Sequence, residues 1–139
     1  MSTSQTTGNP NFAIKALEKY LDIASKSIPI KELDAAERAL TLTIQIIQEI
    51  GHLSVRTGLY SLFGARHFCI MGELLIAKGE SEINIRATFN KAIFLLGWAA
   101  EDNESPFSAI YWTTLLATQT RIRRNLTELT VEERKIRSQ

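Results

Sequence analysis

One cysteine, three prolines, seven glycines and two histidines are all that 139 residues contain of these types. A single cysteine excludes an internal disulfide. Two histidines and one thiol cannot furnish the dense ligand clusters of structural zinc. So little glycine and proline leaves scant material for the many turns of a sandwich or barrel. Charge of one sign is missing too: sixteen basic residues face fifteen acidic ones, for a formal charge of +1. That balance exerts no global pull on nucleic acid or on an anionic membrane. No run approaches the ~18 uncharged apolar residues of a membrane span. Residues 1–9 are polar and uncharged, without the basic and apolar regions of a secretory signal, so the expected location is cytoplasmic. The sequons at Asn103 and Asn125 carry no weight without export.

Catalytic signatures are equally scarce. The chain holds no Gly-x-Ser-x-Gly elbow, no phosphate-binding glycine loop, no dinucleotide fingerprint and no His-Glu-x-x-His. Cys69 lies in the apolar run from His67 to Met71 and reads as a small buried hydrophobe, against the alternative of a reactive thiol. His67 reads as a core or boundary residue. No enzyme activity, cofactor or metal is expected.

What is present is helix. Apolar residues make up 45 % of the chain, ample for a core and too many for a disordered segment. Residues 1–8 read as a mobile tail and 9–139 as a single helical domain, an all-α bundle of five to six helices built from antiparallel hairpins. Asn9-Pro10 starts the first helix as cap and first helical residue, and Pro29 ends it near Ser27. Ala13, Leu17, Leu21 and Ala24 form its inward stripe, with Lys15, Glu18, Lys19, Asp22 and Lys26 outward. A second helix runs from about Lys31 to Ile50, with Leu33, Ala36, Leu40, Ile44, Ile47 and Ile50 inward and Gly51 beyond its end.

The segment 53–78 is apolar in every direction, with Arg56, Arg66 and Glu73 as the charged residues between Leu53 and Ala77 and His67 as a possible fourth, and it predicts the central helix. Gly58 and Gly64 are points at which it could divide. Ser61, Ala65, Cys69 and Gly72 form a strip of small side chains that permits close approach of a neighbour. Glu73 reads as a polar group at the bundle edge. Ser81 caps a fourth helix over Glu82–Ala100, with Ile85, Phe89, Ala92, Leu96 and Ala99 inward. Ser105-Pro106 starts a fifth, uncharged as far as Thr120. Thr130-Val131-Glu132-Glu133 has the form of a capping box and predicts a separate terminal helix.

Two helices of this kind are too many for one domain of this size to hide. The central helix takes the buried position, yet the fifth helix and Ala92–Ala100 of the fourth also lack charge. Left wet, they would exceed the few hundred Å² of contiguous apolar patch that monomers tolerate. The expected function is a non-enzymatic interaction module, an adaptor, regulator or small subunit. It would contact another protein chain or its own copy through Phe94, Trp98, Phe107, Tyr111, Trp112 and Leu115. The alternative for this surface is a wet face softened by Thr113, Thr114, Thr118 and Gln119. A second functional reading is a nucleic-acid-associated protein gripping phosphates with Arg121, Arg123 and Arg124. Against it, cations collect at helix C-termini for electrostatic reasons alone, and Glu128, Glu132 and Glu133 interleave. A third is an apolar-ligand pocket between the third and fifth helices.

Overall fold

The computed structural model describes residues 10–51, 57–101 and 109–138, and in them every regular element is helical. The helices are α1 (Pro10–Ser27), α2 (Leu33–Gly51), α3 (Thr57–Lys78), α4 (Glu82–Ala100) and α5 (Ala109–Ser138). The expected N-terminal tail, the caps at Asn9 and Ser105 and the interface residue Phe107 lie outside the described residues.

Helix α3 touches each of the other four, so the most uniformly apolar segment does take the centre. Neither Gly58 nor Gly64 divides it. Its Tyr60, Phe63, Ile70 and Leu74 join a cluster with Ala13, Leu17, Leu21 and Leu40 of α1 and α2. Its Leu62, Ala65 and Cys69 join a second cluster with Phe89, Leu96, Tyr111 and Ile122 of α4 and α5. The α1–α2 and α4–α5 hairpins therefore bury separate sides of one helix, and the described residues show no backbone packing between the two pairs.

The small strip on α3 accommodates α4 through one ring. A Cβ on Gly72 would sit 2.6 Å from the Phe89 ring, which is itself wholly buried. Only glycine leaves room for it. The α1 stripe is buried as its spacing predicts. The α2 seam is turned slightly from the expected one: Ala36, Ala39, Leu40 and Thr43 are fully inside, while Ile44 is half-buried. Thr43 tolerates this because its hydroxyl donates to the Ala39 carbonyl at 2.9 Å.

Two helix ends close in the same way. After α3, Gly79 (φ 73°) donates to Ile76 O and Glu80 donates to Leu75 O, the paired bonds of a Schellman closure. After α1, Lys31 donates to Ile28 O and Glu32 to Ser27 O, with Lys31 held at φ 66°. This closure is why α2 begins at Leu33 rather than at Lys31.

The predicted break before a terminal helix does not occur. Helix α5 runs unbroken for 30 residues, about 45 Å at 1.5 Å per residue. Thr130 donates its hydroxyl to Leu126 O at 3.0 Å from inside the helix instead of capping a new one. Leu126 and Leu129 pack against the second core cluster and carry the helix past that point.

Candidate interaction surface

Helix α4 is set by its ends and its inward stripe. Ser81 takes an extended conformation, and its hydroxyl accepts from the Asn84 backbone N–H at 3.3 Å. Arg86 pairs with Glu82 at 2.7 Å one turn on. Ile85, Phe89, Ala92, Leu96 and Ala99 are all buried, as their spacing predicts. With that stripe inward, the opposite side of the same helix faces solvent. It carries Phe94, 66 % exposed, and Trp98, 55 % exposed, in edge-to-face contact at 6.3 Å.

Helix α5 contributes an adjoining apolar stripe. Trp112 and Leu116, one turn apart, are 40 % and 56 % exposed. Between the helices runs a groove of about 300 Å³, lined by Ile93, Gly97 and Ala100 on one wall and by Leu115, Ile122 and Arg123 on the other. Ile83, near the start of α4, is also exposed.

Two residues expected on this surface are inside it. Tyr111 is buried, and its hydroxyl donates to Ala99 O at 2.8 Å, fastening the start of α5 to the end of α4. Leu115 is buried in the α3–α4–α5 cluster. The reason is the α5 seam, which passes through Tyr111, Leu115, Thr118, Ile122 and Asn125 at three- and four-residue steps. Absence of charge before Thr120 concealed that seam, because it made every direction look alike. Ile83, Ile93, Gly97 and Leu116, which do belong to the outer face, were not singled out. Counting α4 positions away from the Phe89 stripe would have found the first three.

The basic cluster divides as well. Arg121 donates through Nε to Glu73 Oε2 at 2.6 Å and through Nη2 to Glu73 Oε1 at 2.5 Å. Its Nη2 also donates to Ser25 Oγ at 3.0 Å, so one guanidinium links α5, α3 and α1. Asn125 Nδ2 donates to Glu73 Oε2 at 2.8 Å and to Arg121 O at 3.0 Å. The hydrogen bond with Glu73 raises the Arg121 pKa above its ordinary value, outweighing burial, which lowers it. Arg121 is therefore a structural anchor and not a free phosphate contact. Arg123 and Arg124 remain exposed. Glu73, read from the sequence as an edge group, is the lone acid of an apolar helix, and Arg121 is the partner it requires.

Cavities of about 450 and 620 Å³ flank the Arg121–Ser25 bond. In the smaller one Arg66 pairs with Glu18 at 2.5 Å, and Arg121 is held by Glu73, so each guanidinium on its wall is already matched by a carboxylate. Cys69 lies at its edge, buried, and burial pushes its thiol up to about 12, with the Glu73 charge adding to the effect. A thiolate is the reactive form, so this position is inert near neutrality. His67 is buried, and its Nδ1 has no hydrogen-bond partner among the described residues. Burial lowers its pKa to about 4. Among the described residues no group of three or more His, Cys, Asp or Glu could hold a metal, and no helix is long and apolar enough to cross a membrane.

Compared with known proteins, the chain matches no family model, no curated protein and no solved structure.

Proposed function

We propose that this chain is a non-enzymatic helical interaction module, an adaptor, regulator or small subunit, whose outer α4–α5 face is covered by another polypeptide. The observation that carries the reading is the set of exposed apolar side chains Ile93, Phe94, Trp98, Trp112 and Leu116 on α4 and α5, the two helices that form the groove which Ile93 lines. Isolated exposed apolar residues are ordinary on any protein, whereas grouped aromatics beside a recess are the usual anchors of an interface. Tyr111 and the buried stripe of α4 fix the backbone on which these side chains stand. The surface is thus preformed, and contact requires little ordering. Arg123 lines the α4–α5 groove, whereas Arg124 lines the cavity beside Ser25 and Pro29 of the α1 side, and without Arg121 the two make a weaker case for phosphate binding.

The test uses anilinonaphthalene sulfonate, a dye that brightens on exposed apolar surface. The dilute wild-type chain is expected to bind it. The double variant Phe94→Ser, Trp98→Ser should lose that binding while its melting temperature stays put, because neither side chain is part of the core. Wild-type protein that ignores the dye and stays soluble and monomeric at every concentration would overturn the reading.

A further inference from the structure

We propose that the occupant of the outer α4–α5 face is a second copy of this chain, related by a two-fold axis passing beside Gly97; the proposal rests on the reading just given. The first ground is Gly97 itself. Glycine weakens a helix relative to alanine, so a helical glycine calls for a reason. Gly64 has Leu95 against it, Gly72 lies under the Phe89 ring, and Gly79 needs its positive φ. At Gly97 an added Cβ would meet nothing within 4 Å. Its reason lies outside the chain, in the close approach of another backbone to the α4 surface.

The second ground is charge. Interfaces set opposite potentials against each other, and here Ala92–Ala100 and Ala109–Thr120 carry no charge, while Arg123 is the one charged residue among those lining the groove. Such a surface can meet its own image without setting like charges together. Arg123 on the groove wall and exposed Glu101, next to Ala100 of that wall, are opposite in sign, so each copy offers a partner for the other's charge.

Shape and area agree with this. A two-fold contact requires one patch to supply both projection and recess. Phe94 and Trp98 project, and the groove beside Gly97 is the recess. Ile83, Ile93, Phe94, Trp98, Trp112 and Leu116 together expose about 500 Å² of apolar side chain, taking ~200 Å² for a whole aromatic side chain and ~120 Å² for an aliphatic one. Two copies could bury at most about 1,000 Å² of this surface, which is the lower bound for a specific interface. The pairing is a reversible dimer.

Sedimentation velocity on the full chain, with two variants of Gly97, tests this. The wild-type mass should double as concentration rises through the micromolar range. Gly97→Cys should give a disulfide-linked pair on oxidation, whereas wild type, whose sole thiol is buried, should not. Gly97→Leu has space for its side chain within one copy, so it should keep the fold and weaken self-association by about tenfold or more. A single-chain mass at all concentrations would overturn the proposal, as would a dimer whose Gly97→Cys form does not cross-link. If the mass stays single while the dye binding sensitive to Phe94 and Trp98 persists, the interaction reading stands and the second copy is ruled out. Loss of both removes both.

Discussion

The two hairpins flanking α3 are finished differently. On the α1–α2 side the inward stripe is backed by an outward face of Lys15, Glu18, Lys19, Asp22 and Lys26, and the large apolar residues exposed there are Phe12, Ile23, Ile30 and Leu42. On the α4–α5 side an inward stripe of similar quality is backed by Phe94, Trp98, Trp112 and Leu116. Core formation accounts for the inner faces of both hairpins and for the outer face of neither. A helix needs only one apolar stripe to fold against a neighbour. A second stripe on the same helix has no part in folding the chain and is available for contacts outside it.

The sharpest form of the comparison lies within α4, between two phenylalanines. Phe89→Ala should lower stability by about 3–5 kcal/mol, read from urea midpoints, because it removes a fully buried ring and leaves a cavity beside Gly72. Phe94→Ala should change chain stability by less than about 0.5 kcal/mol, the range of ordinary surface positions. Equal effects would mean that the two faces of α4 are not distinct.

The α1–α2 side has its own point of weakness in His67, which shares an α3 face with Phe63, Ile70 and Leu74 by helical spacing. The unfolded chain takes up a proton here around pH 6.5, and the folded chain only near pH 4. Falling pH therefore favours the unfolded state across that window, by about 3–4 kcal/mol at ~1.4 kcal/mol per unit, and the loss levels off below pH 4. Subtracting the profile of His67→Leu from that of wild type should isolate this contribution from the carboxylates. Identical profiles would show that the imidazole is not held neutral.

Glu73 joins the two sides, since its partner Arg121 also reaches Ser25 of α1. Glu73→Gln should cost about 2 kcal/mol by leaving a half-buried guanidinium without its counter-charge, somewhat less than for a fully enclosed pair. The double variant Glu73→Met, Arg121→Met should recover much of that loss. The smallest effect concerns the matched helix ends. Lys31→Gly should stabilise by about 1 kcal/mol, because Lys31 occupies the left-handed conformation that Gly79 takes without strain. Thermal unfolding reads both.

Periodicity made much of this fold legible. Ala13-Leu17-Leu21-Ala24 and Ile85-Phe89-Ala92-Leu96-Ala99 could be placed inward because polar residues marked the rest of each helix or a cap fixed its start. In α5 that contrast disappears: Tyr111, Trp112, Leu115 and Leu116 are adjacent apolar residues, and only packing against Ala99 and Ile122 decides which are buried. Arg121 and Glu73 are 48 positions apart, a pairing that no local spacing can reveal. Thr130 misled for a related reason. A capping box and a helix-interior Thr four residues after Leu126 can share one sequence, and the contacts of Leu126 and Leu129 select the latter.

The chain has two tryptophans, and both stand on the outer α4–α5 face. Their emission and its quenching by iodide, followed as protein concentration rises, report directly on whether that face becomes covered by a second copy. Emission should shift to the blue and quenching should fall as the copies pair. Emission that stays red and fully quenchable up to the highest concentration would contradict the pairing.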